Sequence, residues 1–372
     1  MKSTNPMTPP AKGSKQDATF AARLLDWYDW HHRELPWRVT PAQHKEGVRA
    51  DPYRVWLSEI MLQQTTVEAV KAYFAKFTEI WPTVEALAAA DASDVMKAWA
   101  GLGYYSRARN LKKCADLIVA ELGGQFPDAE ADLRDLPGVG AYTAAAIAAI
   151  VFDRTAAVMD GNVERVIGRY FAVTTPLPAA KPDMRAVLVP LVPQRRPGDF
   201  AQAMMDLGAT VCTPKRPSCM TCPLRDGCAA LTGGDPELYP IKAAKAQRPV
   251  RRGAAFVALR GDGAVLLERR PERGLLGGMS GLPTTGWTAR QDGATGVHAA
   301  PFAADWRLSG AISHVFTHFE LRLDVFLAEV ANVDDLAHGM FWSRAEELPG
   351  EALPTLFKKV IEAAIPGALK RR

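Results

Sequence analysis

A chain of 372 residues exceeds one typical hydrophobic core, so two domains are expected. Apolar residues at 48% against 23% charged describe a globular protein, and no apolar run approaches the length of a membrane span. The net charge of +4 permits nucleic-acid binding without requiring it.

Met1 to Asp17 is rich in Pro, Lys, Ser and Thr and lacks an apolar segment. This composition predicts a disordered tail over 1–17 and excludes a secretory signal. Ala18 to His32 carries Phe20, Leu24, Trp27 and Tyr28 at helical spacing, and Pro36 stops the helix. Residues 39–50 are polar and irregular, and read as an exposed loop. Asp51-Pro52 then supplies an N-cap and a first-turn proline for a helix running through Val67.

Glu59 is the anomaly of that helix. A mid-helix glutamate is ordinarily solvated, yet Val55, Trp56, Leu57, Ile60, Met61 and Leu62 leave it almost no polar face. Burial would raise its pKa, which suits a general acid. Further on, residues 101–110 form a Gly-rich turn holding Tyr104, Tyr105, Arg107 and Arg109. Aromatic wedges beside arginines can clamp a duplex, although a core tyrosine pair with surface arginines explains the same pattern.

Residues 128–135 are acidic and amphipathic. They lead to Leu136-Pro-Gly-Val-Gly140, where Gly138 and Gly140 predict a tight turn whose N–H groups stay open to an oxygen-rich partner. Ala141 to Val151 is almost wholly apolar and reads as a buried helix whose N-terminus favours phosphate. Asp160 follows in a Gly-containing turn before Asn162, where it is either a helix N-cap or a functional carboxylate, two readings that are compatible. Prolines break 181–200 into short pieces, and a helix from Phe200 to Val211 delivers Cys212. Cys212, Cys219, Cys222 and Cys228 fall within seventeen residues, a metal-site pattern in a reducing compartment. Their spacing alone leaves zinc and a [4Fe–4S] cluster undecided. Cys114 reads as a buried thiol.

Thr232 to Pro236 marks a boundary, and Ile241 to Gly253 is a basic linker. The hydrophobic period then changes to two. Ala254–Arg260 and Ala264–Arg270 flank a Gly-Asp-Gly hairpin, Phe319–Leu327 alternates as a strand, and Leu353–Ile365 closes as an amphipathic helix. The expected fold is an all-α domain over 18–231, a linker over 232–250 and an α+β domain over 251–367.

Taken together, LPWR at 35–38, WLSEIMLQQT at 56–65, GLGYYSRARN at 101–110, LPGVGAYTA at 136–144, MDGNVERV at 159–166 and the four cysteines resemble the adenine DNA glycosylases. These belong to the helix-hairpin-helix superfamily that also contains endonuclease III. Residues 273–283 and 314–318 resemble the Nudix-like domain of that branch. The resemblance implies excision of adenine from double-stranded DNA holding 8-oxoguanine:A or G:A mispairs. The agent would be a cytoplasmic monomer, nucleoid-associated if bacterial, with no membrane partner.

The same resemblance implies that Glu59 protonates the leaving adenine at N7 and that Asp160 stabilises the sugar cation or forms a transient covalent intermediate. Tyr142 and Asn162 would position the Asp160 carboxylate and the sugar. Arg33, Leu35, Trp37, Arg38 and Gln202 would form the adenine pocket. Gln63, Gln64, Tyr104, Gly138 and Gly140 would contact DNA, and Phe316, Thr317 and His318 would read 8-oxoguanine. The family commonly has serine where this chain has Thr317; threonine keeps the hydroxyl and adds a methyl. The cysteine spacing matches the family's [4Fe–4S] loop. Endonuclease III-type lyases place a Schiff-base lysine where this chain has Tyr142, which predicts a monofunctional glycosylase. Competing readings are an endonuclease III-like enzyme or a thymine- or uracil-mismatch glycosylase, a non-catalytic DNA binder, and a Nudix pyrophosphohydrolase. The last lacks its glutamate-rich metal helix, since Arg344-Ala-Glu-Glu347 is too short an echo.

Overall fold

The computed structural model describes residues 15–243, 247–271, 274–331 and 336–369. Most of the expected N-terminal tail, three linker residues and Arg273 of the second-domain motif lie outside the described residues. The chain divides into two compact units, one of residues 1–89 with 110–245 and one of 90–109 with 246–372. The expected linker region contains the 245/246 division, and the 90–109 segment groups with the second unit.

Helices dominate the described chain up to residue 243. They are α1 (Lys15–His31), α2 (Pro41–Lys45), α3 (Pro52–Leu62), α4 (Val67–Ile80), α5 (Val84–Ala89), α6 (Ala92–Trp99) and α7 (Ser106–Leu122). They continue as α8 (Glu130–Asp135), α9 (Ala141–Phe152), α10 (Gly161–Tyr170), α11 (Lys181–Leu188), α12 (Pro197–Thr210) and α13 (Ala229–Thr232). The core of the first unit joins Phe20, Leu24 and Tyr28 of α1 to Val163 and Ile167 of α10, Met184 and Leu188 of α11, and Phe200 and Met204 of α12. Helix α9 is apolar all round because neighbours cover it on several sides; Thr143 to Ala149 are all buried.

Two local expectations are corrected. Residues 39–50 are not wholly irregular, because Thr40 and Gln43 form a reciprocal capping box that starts α2. Helix α3 begins as expected, with Asp51 accepting from the N–H groups of Tyr53 and Arg54, but stops at Leu62 rather than Val67. Gln64 adopts a left-handed backbone, φ 56°, and Thr66 then caps α4. The Gln63-Gln64 pair therefore sits in a turn.

The second unit contains β1 (Val250–Arg260), β2 (Val265–Arg269), β3 (Ser280–Gly281), β4 (Arg307–Val315), β5 (Glu320–Val330), β6 (Met340–Ser343) and α14 (Thr355–Ala364). The sheet order is β3-β2-β1-β5-β4, with β6 also on β2. β1 and β2 form the expected hairpin, while β1 and β5 run parallel at the centre. β1 reads as a continuous apolar run because both its faces are covered. Ala255 and Val257 pack with α14, and Phe256 stacks against Phe326 and meets Trp306 edge-on. No helix among the described residues is long and apolar enough to cross a membrane.

Candidate active site

One cavity of about 370 Å³ in the first unit gathers residues from five stretches of sequence. Its lining includes Arg33, Leu35, Trp37 and Arg38; Glu59, Gln63 and Gln64; Tyr142; Asp160 and Asn162; and Gln202.

Glu59 lies on the inner face of α3, 5% exposed, and its Oε2 has no hydrogen-bond partner. Burial pushes its pKa up to about 7; the Tyr142 hydroxyl and the Arg38 charge oppose the rise, and Asp160 adds to it. The Tyr142 hydroxyl has two acceptors in reach, the Met205 sulfur at 3.3 Å and the Glu59 carboxyl. A thioether is the weaker acceptor, so the carboxyl is the better partner for the proton.

Asp160 has the opposite surroundings. As the N-cap of α10, its Oδ1 accepts from the backbone N–H groups of Asn162 (2.9 Å) and Val163 (2.8 Å). Its Oδ2 accepts from Asn162 Nδ2 at 2.8 Å. Three donors at a helix N-terminus fix the position of both carboxyl oxygens. Asn162 is held in turn by Arg165, whose Nη2 donates to Asn162 Oδ1 (2.7 Å) and to Gly208 O (2.6 Å) and whose Nε donates to Cys212 O (2.7 Å). The N-cap and functional readings of Asp160 are thus served by one geometry.

The 33–38 segment lines one side of the cavity with Arg33, Leu35, Trp37 and Arg38. Trp37 is buried edge-on against Phe74, and Gln202 reaches the cavity from α12 at 4% exposure. Gln63 donates from Nε2 to Thr143 Oγ1 at 3.3 Å. Sequence reasoning missed Asp206, a wholly buried carboxylate on α12 that binds both Arg33 and Arg38. Its signal was the one that singled out Glu59, a carboxylate flanked by Met204, Met205 and Leu207.

The hairpin between α8 and α9 forms as expected. Gly138 has φ +78°, and a Cβ there would lie 2.7 Å from Asn110 Cβ, so glycine is required twice over. No side chain caps the first turn of α9 at Gly140.

Cys212, Cys219, Cys222 and Cys228 line one small apolar pocket and form no disulfide with one another. Among the described residues no three His, Cys, Asp or Glu side chains converge on a single-ion site. Each thiolate of a four-iron cluster binds its own iron, so convergence on one point is not needed and the donor set fits. Arg169, buried beside them, donates from Nη1 to Cys212 Sγ at 3.3 Å and to Thr213 O at 2.7 Å. Cys114 lies elsewhere, buried, with its thiol pushed up to about 12 by desolvation.

In the second unit the β4–β5 turn carries Phe316, Thr317 and His318, closed by Phe316 N–H on Phe319 O at 2.8 Å. Phe316 stacks on Phe319 and meets His314 edge-on, leaving Thr317 and His318 exposed. Tyr104, with φ +47° and 49% exposure, lines a cavity of about 440 Å³ with these residues. Arg107 is not a surface clamp: it is buried, lies over Trp99 and Tyr104, and donates to Leu102 O and Gly103 O. Arg109 donates to Gly277 O.

Residues 57–188 match the HhH-GPD superfamily of base excision DNA repair proteins, residues 212–228 the iron–sulfur binding domain of endonuclease III, and residues 254–363 the NUDIX domain. The Homo sapiens adenine DNA glycosylase is 35% identical over 92% of this chain and 73% of its own length. The Mycolicibacterium smegmatis adenine DNA glycosylase is 41% identical over 54% of this chain and 66% of its own. A solved thermostable thymine-DNA glycosylase superposes with a TM-score of 0.52 at 31% identity, covering 59% of this chain and 98% of its own. The chain belongs to the adenine DNA glycosylase family. Its cysteine loop carries a [4Fe–4S] cluster, which decides between zinc and iron–sulfur.

Proposed function

We propose that this chain hydrolyses the N-glycosidic bond of adenine standing opposite 8-oxoguanine or guanine in duplex DNA and leaves an abasic site. The observation that carries this reading is the pair Glu59 and Asp160, two carboxyl groups in one cavity with opposite environments. The base must leave the stack to enter such a cavity. Glu59, in the protonated form that burial keeps available up to about pH 7, gives its proton to N7 of adenine as the C1′–N9 bond breaks and the bonding electrons pass to the base. Asp160, fixed by its three donors, stands beside the resulting oxocarbenium-like sugar until water adds at C1′ and gives a proton back to the Glu59 carboxylate. Tyr142 and Asn162 keep the two carboxyl groups in place. Arg33, Leu35, Trp37, Arg38 and Gln202 enclose the adenine.

Gln63, Gln64 and Tyr104 fill and wedge the duplex around the extruded base. Gly138 and Gly140 leave the α9 N-terminus open to a phosphate. The exposed Thr317 hydroxyl, with Phe316 and His318, reads 8-oxoguanine. The cluster supplies a rigid frame for a loop whose exposed Lys215, Arg216 and Arg225 face phosphates. Tyr142 forms no imine, so the enzyme is monofunctional. The thymine-DNA glycosylase likeness spans 59% of this chain and nearly all of that one, so an additional Nudix-like region favours the adenine reading.

Single-turnover release of adenine from 8-oxoguanine:A, set beside A, T or U opposite guanine, tests the assignment in wild type, Glu59→Gln and Asp160→Asn. Adenine release lost in both variants is expected, and full activity in Asp160→Asn overturns the catalytic assignment. Stoichiometric borohydride trapping with alkali-independent strand cleavage overturns monofunctionality.

A further inference from the structure

Asp206 lies on α12 one turn beyond Gln202 and is 0% exposed. It accepts four hydrogen bonds: from Arg33 N (2.9 Å), from Arg33 Nε (2.7 Å), and from Arg38 Nη1 to Oδ1 (2.9 Å) and Oδ2 (2.8 Å). Two guanidinium groups thus share one carboxylate. The Arg33 side chain keeps 27% of its exposure and is screened by water, whereas that of Arg38 keeps 8%. A buried guanidinium needs a counter-ion. Two carboxyl groups act on Arg38, Asp206 by direct contact and Glu59 through space.

We propose that Asp206 is a positioning residue for the acid step: it holds Arg38 as its own counter-ion, denies Glu59 an ion-pair partner, and so leaves Glu59 in its neutral, proton-donating form. This rests on the reading of Glu59 as the acid.

The groups that act on Glu59 come from three sides: Tyr142 of α9, Arg38 of the 33–38 segment, and Asp160 before α10. Arg38 carries the positive charge among these three, and Arg33, the other cation lining the cavity, shares the same Asp206, so the partner of Arg38 bears directly on how far Glu59 is drawn towards ionisation. An unopposed cation within about 4–6 Å lowers a carboxyl pKa by roughly 1–3 units. Asp206→Asn keeps the shape and removes the charge. Arg38 then turns to Glu59, and the proton needed for catalysis is lost at lower pH.

The test is the pH profile of single-turnover adenine release by the full, cluster-loaded chain. Wild type is expected to lose activity as pH rises through about 7, where burial places the ionisation of Glu59. In Asp206→Asn this alkaline limb is expected to move about one pH unit to the acid side. The deficit at pH 8 would then be about tenfold greater than at pH 5.5. Asp206→Glu restores the limb. Arg38→Gln moves it the other way, to higher pH, since the cation opposing Glu59 is gone. A purely structural role lowers the rate equally at every pH, and an unmoved limb in a folded Asp206→Asn overturns the proposal. If Asp206→Asn does not fold with its cluster absorbance, Arg38→Gln decides: an alkaline shift supports the proposal and no shift overturns it. Glu59→Gln, run alongside, separates the two readings. If it keeps the wild-type rate and wild type shows no limb near 7, the acid assignment has failed.

Discussion

The two walls of the cavity carry the same functional group and treat it in opposite ways. On the α3 wall, Glu59 sits among apolar side chains with one oxygen unpartnered, and desolvation favours the neutral acid. On the α10 wall, Asp160 receives three N–H donors at a helix N-terminus, and every one of them suits a carboxylate acceptor. The chemistry of each carboxyl is set by what the backbone offers nearby: a helix interior offers no free donors, while a helix start offers several.

The largest way to break this contrast is to remove either group. Glu59→Gln and Asp160→Asn are each expected to slow single-turnover base release by about 10³-fold, within the usual range for a lost acid or electrostatic partner. A smaller effect separates the walls thermodynamically. Glu59 has a folded pKa near 7 against about 4.5 unfolded, so the fold binds the extra proton between those values. Its cost to stability is absent below about 4.5, grows as pH rises towards 7, and is complete above. Glu59→Gln should therefore be more stable than wild type at pH 8 by about 3 kcal/mol, from 1.36 kcal/mol per pH unit. That gain should fade towards pH 5 in chemical denaturation. A gain independent of pH would show that burial of charge is not its cause.

Smaller again is Asn162→Ala. It removes one of the three Asp160 donors and leaves Arg165 short of an acceptor, at about 1–2 kcal/mol, or some tenfold in rate. Because Glu59 is untouched, the alkaline limb of the profile should not move. The smallest effect belongs to the other unit. Thr317→Ser deletes a methyl on an exposed turn, and the ratio of rates on 8-oxoguanine:A and G:A duplexes should change by less than about threefold.

Much of the cavity was legible because its chemistry leaves marks in sequence. Glu59 stood out against an apolar helix, Asp160 sat where a cap belongs, and two glycines marked the hairpin. What stayed hidden depended on partners far along the chain. Asp206 gains its meaning from Arg33 and Arg38, more than 160 positions away, and its own helix was read only as a route to Cys212. Arg107 looked like a surface cation until Trp99 and two carbonyls were seen to enclose it. The early end of α3 was also missed, since nothing in the residue types at 63–65 forbids another helical turn. It is the positive φ of Gln64 that turns the chain.

The parallel pair at the centre of the second unit has a consequence for how the protein is made. Every partnered residue of β1 and β5, from Val250 with Glu320 to Arg260 with Val330, lies seventy positions apart in the chain. No hairpin can zip this pair; a long loop must close before its first contact is rewarded. The β1–β2 hairpin forms from neighbours within a few residues. Pairing of β1 with β5 therefore waits, on a ribosome, until residue 330 has left the tunnel. Until then the apolar β1 run, Ala254 to Leu259, stays without its central partner and is the segment that most needs protection from aggregation.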